Sequence, residues 1–240
     1  MSHSPAERPA LAYVLLTLTT LFWAGNALIA RALHTEVPPA TLAFLRWSVA
    51  ALLLLPFAWR QLAASWRLLL KDWVSLVVLS ILGVSTFNTL LYQAAHTTTA
   101  THIALIQTAM PAMIVLLSWA VYRETVSRHQ TLGVLLAIGG AVVVVVHGRL
   151  ERLLHLDLVA GDLWMLLAAL VYALYSVNLR RAPRVPPLAF LSASFIVGAA
   201  ALAPLFALEA WTRPAPRLDT ELAAAVAYVA VFPSILAYGF

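Results

Sequence analysis

LFWAGNALIARALHTEVPPATLAFLRW (Leu21–Trp47) joins two apolar runs through a short polar turn, and it sets Asn26 and Arg46 inside the apolar parts. A fainter copy, LVYALYSVNLRRAPRVPPLAFLSASF (Leu170–Phe195), follows much later in the chain. Apolar runs of this kind recur throughout, and a helix needs about 20 apolar residues to cross a hydrocarbon core of about 30 Å. Of the 240 residues 62% are hydrophobic and 10% charged, with a mean hydropathy of +0.89. Soluble domains carry about 25% charged residues. The chain reads as an all-α polytopic membrane protein lodged in a lipid bilayer; barrel strands would alternate over segments of about ten residues.

Eight spans follow: Leu11–Ala30, Pro39–Trp59, Val74–Ala95, Thr101–Val121, Thr131–Val146, Gly161–Asn178, Leu188–Leu208 and Leu222–Phe240. The connections are brief, so consecutive helices are antiparallel neighbours. The opening MSHSPAERPA has no basic n-region, and the first apolar run is long enough to span, so it reads as a retained helix. There is no cysteine, hence no disulfide framework or thiolate metal site. A pI near 10 would suggest nucleic acid in a soluble protein, but here the basic residues lie between apolar runs and bear on orientation instead. Alternate loops hold nine basic residues (Arg8, Arg60, Arg67, Lys71, Arg123, Arg128, Arg180, Arg181, Arg184) against five (Arg31, Arg149, Arg152, Arg213, Arg217). By the positive-inside rule the N-terminus is cytoplasmic.

The two copies are collinear. A shift of 148 residues brings Val37-Pro38-Pro39 onto Val185-Pro186-Pro187 and Pro56 onto Pro204; one residue more upstream aligns Leu21 with Leu170 and Arg31 with Arg180. The repeating unit holds five spans, and an odd number inverts the second copy. The charges agree: the loop after the unit's first helix is near neutral in copy one (Arg31, Glu36) and basic in copy two (Arg180, Arg181, Arg184). Inverted repeats are an architecture of secondary transporters, with the solute site between the repeats near mid-membrane.

LFWAGN, AFLRW, Pro111 leading to YRE at Tyr122–Glu124, a Gly-rich fifth helix (Gly133, Gly139, Gly140) and the final FPSILAYGF resemble the EamA-type drug/metabolite transporters over essentially the whole chain. The resemblance implies a ten-helix fold of two inverted five-helix repeats, with about eight helices in this chain. It implies a first repeat at 11–147 and an incomplete second at 160–240. It also implies export of amino acids or other small metabolites from bacterial cytoplasm, across the inner membrane. By the repeat offset Phe240 falls on Tyr92, so the counterparts of Gln93 to about Val146 are expected beyond this sequence, in a protein of roughly 300 residues.

The intramembrane polar residues share a depth. Asn26, Arg46, Asn88 and Gln107 lie four to seven residues from the same membrane face, roughly 6–10 Å below it at about 1.5 Å per residue. Helical spacing adds Trp23 beside Asn26 and Tyr92 beside Asn88, and Pro111 extends the Gln107 stripe. Trp23, Asn26, Arg46, Asn88, Tyr92, Gln107 and Tyr175, the repeat-mate of Asn26, are the candidate cavity lining for an amphipathic solute. Each has a plainer reading. Arg46 reads as a snorkelling or helix-tying side chain, and second as a ligand for an anionic group. The amides read as interhelical hydrogen bonds of about 0.6 kcal/mol each, and the aromatic residues as packing or interfacial anchors. Pro111 kinks its helix. Glu124 fits an ion pair on the cytoplasmic side, and TTTATH (Thr97–His102) a polar turn with helix capping.

No phosphate-binding Gly loop, intramembrane carboxylate pair or His/Asp/Ser set marks an enzyme, and no histidine spacing marks a metal site. No residue is assigned a catalytic role, and no cofactor or nucleic-acid partner is implied. The reading is a secondary transporter of a small-molecule substrate working by alternating access. A membrane scaffold or lipid-handling protein without a solute path is the alternative, and an integral-membrane enzyme a more distant one. The sequence leaves oligomeric state open. A reporter fused at His34 should read as extracytoplasmic; a cytoplasmic reading contradicts the orientation.

Overall fold

The computed structural model describes residues 9–145, 148 and 159–239. Arg8, Arg149, Arg152 and Phe240, used above for orientation and repeat register, lie outside them. The described residues form eight helices: α1 Pro9–Ala32, α2 Pro39–Lys71, α3 Trp73–Ala95, α4 Ala100–Tyr122, α5 Arg128–Val145, α6 Ala160–Arg181, α7 Pro187–Thr212 and α8 Thr220–Gly239. Seven are long and apolar enough to cross a membrane, and α5 is a shorter apolar helix. The fold class expected from sequence, all-α and polytopic, is the one observed.

The distribution of polarity is the reverse of a soluble protein's. Phe57, Leu52 and Tyr13 are largely exposed on the outside, while Asn26, Arg46, Asn88 and Asp162 are buried inside. Such a surface suits hydrocarbon. Asn26, Arg46, Asn88 and Asp162 find their partners there in contacts between helices.

The axis of the bundle is the antiparallel pair α2–α7. Both helices open alike: Pro38 and Pro186 are extended, and Pro39 and Pro187 take the first helical turn, where a missing N–H is harmless. Each also carries an internal proline, Pro56 and Pro204. At one end Phe44 stacks on Phe206 at 4.5 Å, and the Glu209 carboxylate accepts hydrogen bonds from the amides of Ala40 and Thr41 (3.2 and 2.7 Å). An anion there complements the positive end of the α2 dipole. At the other end Leu62 and Leu69 pack with Ala193, Phe190 and Val185. α2 runs on to Lys71, twelve residues beyond the Trp59 expected from hydropathy, and only Asp72 separates it from α3. The basic residues Arg60, Arg67 and Lys71 therefore stand on a helix, not in a loop.

Around this pair, α3 packs on α7 and α6, α8 on α2, and α4 on α6. α5 packs on α4 at the edge. α1 meets α3, α4 and α8. Two helices contain a six-residue π segment, Ile81–Thr86 in α3 and Val231–Leu236 in α8. In α4 the helix breaks between Gln107 and Met110, where Pro111 lacks the N–H that would bond the Gln107 carbonyl; Thr108 and Ala109 instead donate to Leu105 and Ile106. The kink expected at Pro111 is thus a broken turn just before it.

Helix α6 begins hard against the α3–α4 turn. A Cβ on Gly161 would stand 2.6 Å from the Ala94 carbonyl oxygen and from the Thr98 amide nitrogen, so backbone would have to move. Gly161→Ala should lower stability by about 1–3 kcal/mol, the range for overpacking. A thermal melt in detergent checks this, and an unchanged transition would contradict the tight approach.

Candidate functional site

The site is built around Arg46, two turns into α2 and only 2% exposed. The side chain does not snorkel. Its Nε donates to Ser234 Oγ at 2.7 Å. Its Nη1 faces Asn26 Oδ1 at 3.0 Å, Asn88 Oδ1 at 2.8 Å and the Tyr92 hydroxyl at 3.0 Å. Its Nη2 reaches the Pro233 carbonyl at 3.3 Å. The guanidinium carbon lies 4.6 Å from the Trp47 ring centroid, a cation–π distance. One side chain of α2 thus ties α1, α3 and α8 together. Its partners among the described residues are all neutral.

Local irregularities place those partners. Asn88 follows the π segment of α3, and its amide nitrogen donates to the carbonyls of Gly83 and Val84 (3.3 and 3.1 Å), which turns Oδ1 toward Arg46. Tyr92, one turn on, donates to Asn26 Oδ1 at 2.8 Å and so fixes that amide as well. In α8, Pro233 has no N–H for the Val229 carbonyl four residues back. Ser234 Oγ donates to that carbonyl at 2.8 Å and receives the Arg46 Nε proton in turn. π segments recur at functional sites because they re-aim side chains and free backbone groups.

A cavity of about 20 Å³ opens beside the guanidinium, lined by Trp23, Asn26, Arg46, Asn88 and Gln107 together with Phe87, Leu91, Met110, Tyr172 and Tyr238. That volume holds one water. Five of the seven residues singled out from sequence therefore share one cavity, Asn26 and Gln107 among them. Tyr92 is buried in the polar network behind the wall. Tyr175 lies elsewhere: its ring fills the space over Gly83, where an added Cβ would meet it at 2.6 Å. Tyr172, one turn earlier on α6, takes the wall position and packs on Phe87 at 4.9 Å and on Trp23 at 6.3 Å. Sequence reasoning passed over Tyr172, Ser234 and Tyr238. A Pro-Ser pair inside an apolar helix was the available signal for the second.

Beside this cavity runs a crevice of about 400 Å³ between α1 and α4, bounded in part by Thr20, Ala27, Ala104 and Ile114. Trp23, Gln107, Met110 and Tyr172 line both spaces and form the partition between them.

Polar side-chain contacts sit at the two ends of the α4–α6 contact. Glu124 accepts from both Nη atoms of Arg180 at 2.5 and 3.0 Å, so the expected ion pair exists, with Arg180 as partner. The hydrogen bond from Arg180 holds the Glu124 carboxyl below its usual range. At the other end the buried Asp162 accepts from Thr98 Oγ1 and faces His102 Nδ1 at 3.2 Å. Thr99 caps α4 by accepting from the His102 amide, as the TTTATH turn suggested. On that same face burial first, and then the neighbouring His34, Arg213 and Arg31, push His96 below the ordinary histidine value. Among the described residues no three His, Cys, Asp or Glu side chains gather in a metal-binding group.

A helical membrane bundle with a polar network enclosed at one depth has the form of a transporter, and sequence comparison places it in a family. The sequence profile of the EamA-like transporter family matches residues 10–146 and 159–240, and the chain belongs to that family. An uncharacterized transporter of Archaeoglobus fulgidus is 26% identical over 228 residues, covering 94% of this chain and 77% of that protein. The uncharacterized transporter YyaM of Bacillus subtilis is 25% identical over 227 residues, covering 94% and 74%. A third, from Methanothermobacter thermautotrophicus, is 23% identical over 192 residues, covering 75% and 56%.

Proposed function

We propose that this chain is a secondary transporter of a bacterial inner membrane, with a cytoplasmic N-terminus. It exports small metabolites, amino acids among the candidates, by alternating access, and the Arg46 cavity is its solute site. The observation that carries the reading is a membrane-buried cation whose described partners are all neutral, at the wall of a cavity. An intramembrane charge of this kind is costly and marks solute or ion paths. Trp23, Asn26, Asn88 and Gln107 are the proposed recognition residues beside it, with Tyr92 holding Asn26 and Arg46 in place.

Two parallels support division into repeats at 11–147 and 160–240. The helices α2 and α7 share the same proline landmarks, and α3 and α8 each carry a π segment at the corresponding turn. Transport by rocking of one repeat against the other would open and close the cavity, which at about 20 Å³ is too small for any solute larger than water in the state described. A lipid-handling protein would present a groove apolar throughout; the Arg46 cation beside the α1–α4 crevice favours a charged solute.

Arg46→Lys tests the reading. Lysine keeps the charge but loses the planar fork that holds several acceptors at once. Transport of the physiological solute should fall about tenfold or more, the equivalent of one good hydrogen bond to a charged group, at normal membrane abundance. Unchanged kinetics would reduce Arg46 to a structural tie.

A further inference from the structure

The geometry points to an organic anion with an apolar body, and without an ammonium group, as the solute class of the Arg46 cavity; this rests on the cavity being the solute site. Arg46 is the one charged residue among the ten that line it. The acceptors nearest the guanidinium are already taken. Asn26 Oδ1 receives Arg46 and Tyr92, and Asn88 uses both ends of its amide, toward Arg46 and toward the Gly83 and Val84 carbonyls.

What remains open is a set of neutral groups: donor-only at Asn26 Nδ2 and the Trp23 ring, and able to donate or accept at Gln107, Tyr172 and Tyr238. The Asn26 amide nitrogen, the Gln107 amide, the Trp23 ring N–H and the Tyr172 and Tyr238 hydroxyls bond to no described residue. Arg46 Nε and Nη1 are engaged by neutral acceptors and Nη2 by the Pro233 carbonyl alone, which leaves one Nη2 N–H. A carboxylate placed there gains that N–H, the attraction of the cation and the neutral donors, and hydrogen bonds to an ionised acceptor are the stronger kind. An ammonium group finds no carboxylate on these walls and sits beside a fixed cation, where low dielectric magnifies the repulsion. A zwitterionic amino acid is therefore half suited to the site, and an amine excluded.

The body of the solute has a place as well. The α1–α4 crevice, about 400 Å³, is within the range of small-ligand pockets, about 300–1,000 Å³. It is mostly apolar, and its partition from the Arg46 cavity includes two flexible unbranched side chains, Gln107 and Met110. Methionine repacks readily, and the Gln107 side chain has no hydrogen bond to a described residue to break. Moving these two merges the spaces, so the anionic end reaches Arg46 while the apolar body lies between Ala27, Ala104 and Ile114.

The test uses three probes with one phenylethyl body: 3-phenylpropionate, phenylalanine and phenethylamine, bearing an anion, a zwitterion and a cation. Calorimetric titration of the purified full chain should rank 3-phenylpropionate above phenylalanine by about tenfold to a hundredfold, the range of one hydrogen bond to a charged group, with phenethylamine not bound. Gln107→Glu is close in shape and places a carboxylate on the wall; it should weaken 3-phenylpropionate and raise phenylalanine. Equal affinity for the three probes, or a ratio of 3-phenylpropionate to phenylalanine affinity unchanged in Gln107→Glu, overturns the anion class. The solute site itself is tested separately, because the chain has no cysteine of its own. In Gln107→Cys, maleimide labelling slowed by 3-phenylpropionate alone supports both claims. Slowing by all three probes overturns the anion preference but leaves the site, and slowing by none overturns the site.

Discussion

The burial of one guanidinium organises this bundle. Moving a charged group from water into a protein interior costs several kcal/mol even after relaxation, and a membrane interior offers no water to offset it. The chain answers with neutral oxygens drawn from three helices onto Arg46: Asn26 from α1, Asn88 and Tyr92 from α3, Ser234 and Pro233 from α8. Those helices then have little freedom to slide past α2, because a shift of one turn would strand the charge. The π segments follow from the same need. Each puts backbone carbonyls off the regular ladder, and Asn88 and Ser234 take them up while turning an oxygen toward Arg46.

The α2–α7 pair and the Arg46 network divide the work of holding the fold. Between α2 and α7 the contacts are ring stacking and close apolar packing, with Trp47 against Phe195 at 4.7 Å. In lipid such contacts supply van der Waals attraction without a hydrophobic drive. The α4–α6 contact is pinned at both ends, by a polar contact of Asp162 with Thr98 and His102 and by the Glu124–Arg180 ion pair. The thin partition of Trp23, Gln107, Met110 and Tyr172 lies between these firmer parts. It is where small side-chain movements change the cavity most.

Much of the site was legible because the membrane makes polar residues rare and helix rise converts sequence position into depth. Asn26, Arg46, Asn88 and Gln107 stand out in apolar runs, and a common distance from one membrane face is enough to group them. Tyr92 follows from the turn after Asn88. Ser234 shows in sequence only as a serine after Pro233 inside an apolar helix, and Tyr238 is hidden by register. A uniform offset of 148 pairs Asn88 with Leu236, whereas the two π segments begin 150 residues apart, and that spacing pairs Asn88 with Tyr238. Tyr175 and Tyr172 lie close on one helix, and apolar sequence alone does not say which aromatic ring faces inward. The length of α2 was obscured for another reason: Arg60 and Arg67 end the hydropathy signal, but a helix can leave the hydrocarbon and continue.

The central claim is that Arg46 is held in the membrane interior by a coupled set of neutral acceptors. A double-mutant cycle on thermal stability in one detergent, with Arg46→Met, Tyr92→Phe and the two combined, addresses it directly. Tyr92→Phe removes a single hydroxyl that meets both Arg46 and Asn26. Residues within one hydrogen-bond network show interaction energies of about 0.5–3 kcal/mol, and the account predicts a value in that range. Strictly additive effects would mean that Arg46 and Tyr92 do not act through a common network, and would contradict it.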